Sequence, residues 1–169
     1  MKRMENNKVV IAALMDDDLF GYISERISVK ENVSMSNFSN MDIDEVRRLA
    51  SGKAIDLAII DFDIYKIESE RSKLEELFTY GALDDKGSMT DFVMLYNDDN
   101  ADELCELNET LLNRKIAMTN VSLDDKEDEI DKTIVVQCVH AAVGRLMNEK
   151  AYFIEMRKDM EDLLKNLTS

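Results

Sequence analysis

Carboxylates stand where they could act together after two apolar runs of the chain. Asp16 and Asp17, with Asp18 beside them, follow the run KVVIAALM at 8–15, and Asp61 lies at the end of DLAIIDF at 56–62. Like charges a few ångströms apart are unfavourable unless a hard cation neutralises them, and carboxylate oxygens suit Mg²⁺. A divalent ion held by such carboxylates would also activate a phosphoryl donor toward attack by a carboxylate.

Whether these groups meet depends on the elements that carry them. Both runs are short, apolar and rich in β-branched residues, the pattern of strands buried on both faces. Leu19, Ile23 and Ile27 mark a helix from about residue 18 to 29, a weak strand follows at 33–38, and Ile43, Val46 and Leu49 mark a short helix ending near Gly52. After Asp61 come a helix carrying Ile67, Leu74, Leu77 and Phe78 and stopped by Gly81, a polar insertion at 84–90, and a strand FVMLY at 92–96. A helix with Leu104, Leu107 and Leu111, capped by Asn100 or a neighbour, leads to a weaker strand KIAMTNV at 115–121. Strict alternation of strand and helix forces parallel pairing through right-handed crossovers, hence a doubly wound five-stranded α/β sheet with helices on both faces. In the order 2-1-3-4-5 the first and third strands are neighbours, and the working site lies at their carboxyl ends.

The run Met15-Asp16-Asp17-Asp18-Leu19-Phe20 resembles the first-strand acidic pair of the receiver domain of two-component response regulators. Asp56-Leu57-Ala58-Ile59-Ile60-Asp61 resembles the strand that ends in that family's phospho-accepting aspartate, and the 44-residue interval from Asp17 to Asp61 is similar to the family spacing. The resemblance covers roughly residues 8–140 and implies a flavodoxin-like fold, Mg²⁺ on Asp16 and Asp17, phosphorylation of Asp61, and a metal shell completed by the backbone carbonyl of Asp63. It also implies a regulatory protein that is not an enzyme, with a histidine kinase among its candidate partners. The departures are specific. The switch hydroxyl expected at the end of the fourth strand is replaced by Tyr96, followed by Asn97. The lysine expected at the end of the fifth is replaced by Thr119 and Asn120, with Lys115 too early to substitute. Phosphorylation and Mg²⁺ binding are thus either retained or lost, the latter making a pseudo-receiver.

Other readings compete. IIDFDIY at 59–65, with Asp98 and Asp99 later, also resembles the D-x-D strand of Mg-dependent phosphatases of haloacid-dehalogenase type, although that leaves the first strand and its aspartates unexplained. His140, the sole histidine, faintly resembles the histidine of phosphotransfer helices but lacks the following lysine, so a packed helix histidine is expected. One histidine and no nucleophile-elbow sequence assemble no catalytic triad. Cys105 and Cys138 have no C-x-x-C spacing and are expected to be buried thiols.

With 36 acidic and 21 basic residues the net charge is −15, which repels phosphate backbones and anionic lipid, so nucleic-acid and membrane binding are not expected. No apolar run approaches the ~20 residues of a membrane span, and the first residues run straight into a strand, so a cytoplasmic protein is expected. The acidic run at 124–131 reads as a solvated turn and helix start. The chain divides into a receiver-like domain at 1–128 and a final helix at 129–169. Val139, Ala142, Leu146, Phe153, Met156, Met160, Leu163 and Leu167 recur at steps of three and four, broken at Glu149. That is a heptad seam, so a homodimer through a coiled-coil segment is expected, with Leu146, Phe153, Met156, Met160, Leu163 and Leu167 in the interface.

Overall fold

The computed structural model describes residues 8–27, 32–52, 54–85, 87–123 and 129–168. Expected features at 2–7, at the end of the first helix (28–29) and in the acidic run at 124–128 lie outside the described residues.

Val9–Leu14 (VVIAAL) has no polar side chain, so neither of its faces can meet water, and it becomes an interior strand, β1. The chain continues through α1 (Asp17–Ile27), β2 (Val33–Asn37), α2 (Ile43–Ser51), β3 (Leu57–Asp61), α3 (Glu68–Gly81), β4 (Asp91–Tyr96), α4 (Ala101–Asn113), β5 (Ala117–Ser122) and α5 (Glu129–Thr168). Short 3-10 turns at Phe38–Asn40 and Phe62–Lys66 follow β2 and β3. The five strands are all parallel, as the alternation predicts, and lie in the order β2-β1-β3-β4-β5.

Alternate side chains of each strand feed two separate cores. Leu14, Ile60 and Met94 pack on α2, α3 and α4, with Leu74, Phe78 and Leu104 from the helices. Ile11, Ile59 and Val93 pack on α1 and α5, with Ile23, Val135, Val139 and Val143. Ile67, expected within the third helix, instead precedes it and is exposed. Cys105 is exposed and Cys138 half-buried, contrary to the expectation of buried thiols. The buried stripe of α4 runs through Leu104 and Leu111, and the residue after Leu104 is turned about 100° away from it.

Helix α5 crosses one sheet face and then leaves it. Leu146 is its last buried residue and belongs to the domain's own core, so it is spent there and cannot open an intermolecular seam. Two ion pairs hold α5 at the starting edge of the sheet: Arg145 with Asp91, and Lys150 Nζ with Asp56 Oδ2 at 3.0 Å. Asp56 Oδ2 also accepts from the backbone N–H of Val10 at 2.9 Å, and Lys150 donates to the carbonyl of Lys8 at 2.8 Å, tying α5 to β1 as well. Beyond Lys150 the helix is exposed almost throughout. Among the described residues no helix is long and apolar enough to cross a membrane.

Two outcomes follow from this packing. A Cβ on Gly81 would lie 2.9 Å from Cε1 of Phe92 and 3.1 Å from Cβ of Thr90, so Gly81→Ala should lower stability by about 1–3 kcal/mol in urea denaturation. Burial raises the Asp91 carboxyl above its usual range despite Arg145. The native state therefore holds that proton more tightly than the unfolded chain. The resulting penalty is absent below the ordinary carboxylate pKa and complete above the raised one. Stability measured against pH should carry a falling component just above the ordinary range, and Asp91→Asn should remove it.

Candidate functional site

Strands β1 and β3 pair directly, with Leu14 opposite Ile60, so the residues after both leave the sheet on one edge. Asp16, Asp17 and Asp61 accordingly lie at that edge, as do Asp63 and the end of β4. Asp18, in the exposed first turn of α1, favours the positive end of the helix dipole.

The carboxylates are occupied mainly by amides. Asp16 Oδ1 accepts from the backbone N–H of Leu19 at 2.8 Å, the bond of a helix N-cap. Asp17 Oδ1 accepts from Asn40 Nδ2 at 3.1 Å and, at 3.4 Å, from Asn37 Nδ2, which also reaches the carbonyl of Met15 at 2.9 Å. Asp61 Oδ1 accepts from the backbone N–H of Asp63 at 3.1 Å. The Asp63 carboxylate takes Nδ2 of Asn97 at 3.1 and 3.2 Å and Nδ2 of Asn100 at 2.8 Å. Asn97 and Asn100 also lock each other: each side-chain oxygen accepts the other's backbone N–H, at 2.9 and 3.1 Å. Asn100 thus holds the cap position of α4, but its side chain serves Asn97 and Asp63 instead of the helix.

A buried cation supports the neighbouring loop. Lys73 of α3, 6% exposed, donates to the carbonyl of Ser39 at 3.1 Å and pairs with Glu70 at 3.3 Å, while Ser39 Oγ donates to Glu70 at 3.0 Å. This fixes the turn that presents Asn37 and Asn40 to Asp17. None of these residues was singled out by sequence as part of the site. The sole signal was an Asn recurring at both ends of the short turns after β2 and β4, and Asn is common in turns for reasons of its own.

Among the described residues no three carboxylate, imidazole or thiol groups are gathered as a metal site would require. In this arrangement protein N–H groups are hydrogen-bonded to carboxylate oxygens of Asp16, Asp17, Asp61 and Asp63. Tyr96 ends β4 and is half-buried against the core, without the small hydroxyl of a switch position. Thr119 requires correction. The end of β5 falls at Ser122, opposite Tyr96, whereas Thr119 pairs with Val93 in mid-strand on the face toward α5. The phosphatase reading gains no support: Asp98 and Asp99 are exposed on their turn, while Asn97 and Asn100 point inward to Asp63. His140 is half-buried on α5.

Asn100 is 1% exposed, so Asn100→Ala would strand the Asn97 N–H and remove a donor from Asp63, at a cost of about 1–3 kcal/mol. Asn100→Asp keeps the acceptor but places a second carboxylate against Asp63. Its deficit in chemical denaturation should be larger at pH 8 than at pH 5, where one proton can be shared.

No protein-family model matches the chain, and no curated protein matches it. Among solved structures, the crystal structure of a flavodoxin-like domain from a Synechococcus sp. protein is similar to it, with a TM-score of 0.55 at 12% identity over 90% of this chain and 99% of that one. At that identity the likeness is one of fold: the chain has the flavodoxin-like architecture, which receiver domains share.

Proposed function

We propose that this chain is a regulatory protein of receiver type that acts by binding a protein partner, and that the phosphoryl chemistry of Asp61 has been lost. The observation that carries this reading is the set of asparagine amides on Asp17 and Asp63, which lets acidic side chains persist at the strand ends without a cation. The fold is compatible with a receiver-like domain. Tyr96 replaces the small hydroxyl that the resemblance calls for, and Asn97 brings an amide, not an ammonium, to the same edge. A domain so arranged retains a receiver's surface while its pocket is organised for permanence. The partner is then a protein that reads that surface, not a histidine kinase that loads Asp61.

Thermal melts with millimolar Mg²⁺ and beryllofluoride test the proposal. A mimic present at a hundred times its Kd would add about 2.7 kcal/mol, a rise of several degrees in a domain of this size. The expected result is no shift with either additive, in the parent protein or in Asp61→Asn. A rise that needs both additives and vanishes in Asp61→Asn would restore the phospho-acceptor and Mg²⁺ reading.

A further inference from the structure

Two helices, α1 and α5, serve the sheet face that five strands present on one side, and they leave part of it open. Beside α5, over β4 and β5, lies a hollow of about 520 Å³ whose lining includes Ala117, Thr119, Cys138, Ala141 and Ala142. It adjoins a second hollow of about 880 Å³ along the same helix, with Ala141 and Arg145 common to both and with Gly144, Asn148 and Tyr152 in its wall. On the α5 side the walls carry small side chains at Cys138, Ala141, Ala142 and Gly144, and a Cβ added to Gly144 would meet nothing within 4 Å. Phe92 and Met118 line the floor of the first hollow, and Tyr152 and Phe153 the end of the second. Close packing of such a groove calls for large side chains brought from outside.

The same chain carries large side chains with nothing to cover them. Tyr152, Phe153, Met156, Met160, Leu163 and Leu167 are between 41% and 73% exposed. A contiguous apolar stripe of this kind marks an interaction surface. It cannot fill its own molecule's groove, because α5 is unbroken from Glu129 to Thr168 and carries the stripe away from the sheet. A second copy can receive it.

We propose that two copies exchange these tails about a two-fold axis near Tyr152, each tail lying antiparallel to the other copy's α5 in the groove over β4 and β5. Lengths agree: the groove side of α5 from Ile134 to Asn148 spans about 22 Å and the tail from Tyr152 to Thr168 about 25 Å. Sizes agree as well. With Tyr152 on the axis, Leu163 of one copy is level with Ala141 of the other, large against small. Charges are mixed across the contact: Asp159 comes level with Arg145, which is 54% exposed and also pairs with Asp91, and Glu155 comes level with Glu149. Residues 151–168 hold four acidic and three basic side chains, so the tails themselves add little to the repulsion between the two bodies. One symmetric contact covers both stripes and fills both grooves. The arrangement differs from a coiled coil of the tails alone, in which the grooves would stay open, and it stands apart from any chemistry at Asp61.

Sedimentation equilibrium of the full chain at tens of micromolar should give about twice the 19.4 kDa chain mass. Leu163→Glu alters the tail and Ala141→Trp blocks the groove. Both positions are exposed, and circular dichroism checks that the helices are intact. Each substitution should weaken the dimer on the order of thirtyfold or more, as at an interface hot spot. A monomeric parent protein overturns the proposal. Retention of the dimer by Leu163→Glu overturns it as well, and retention by Ala141→Trp does so by assigning the contact to the tails alone.

Discussion

Parallel pairing of β1 with β3, with Leu14 opposite Ile60, obliges both segments to leave the sheet on the same edge, and each carries aspartates as it leaves. Carboxylates held at one edge of a sheet need hydrogen-bond donors wherever water is partly excluded. Among those donors are the backbone N–H groups of Leu19 and Asp63 and the side-chain amides of Asn37, Asn40, Asn97 and Asn100. Unlike a bound ion, these donors are part of the chain and cannot dissociate. The turns after β2 and β4 are therefore committed to one geometry, and Lys73 reinforces the first of them from below.

Local composition explains which parts of this arrangement could be read in advance. Strands β1 and β3 announce themselves because a strand buried on both faces has nowhere to put a polar residue, and Val9–Leu14 has none. The stop at Gly81 was equally visible, although what requires a glycine there, the close approach of Phe92, is tertiary. β5 was harder. As an edge strand with Asn120 and Ser122 exposed it lacks an unbroken apolar pattern, so its end was placed early and Thr119 was put at the wrong level. The asparagine network was not legible at all. An Asn in a turn satisfies local rules by itself, and nothing in its neighbours reveals that its amide reaches an aspartate more than thirty residues away, as Asn97 and Asn100 reach Asp63. Leu146 shows the same limit from the other side. It fits a seam by spacing, yet it is consumed by the domain's own core.

Charge is distributed as unevenly as polarity. The acidic excess lies almost wholly before residue 151, while the exposed end of α5 is close to neutral. A strongly negative body holds other bodies off and favours solubility, and a near-neutral apolar segment is where approach is least opposed.

Helix α5 begins after β5, at the carboxylate edge of the sheet, and is clamped at the opposite edge by Arg145 and Lys150 before running free. An unbroken helix of 40 residues is about 60 Å long, so it behaves as a lever with its fulcrum at those two ion pairs. A tilt of about 5° at the fulcrum would sweep the free tip, some 27 Å away, through about 2 Å. Small rearrangements of the sheet face would in this way be magnified at the tip, and mechanical stiffness would be the property that α5 contributes to the molecule.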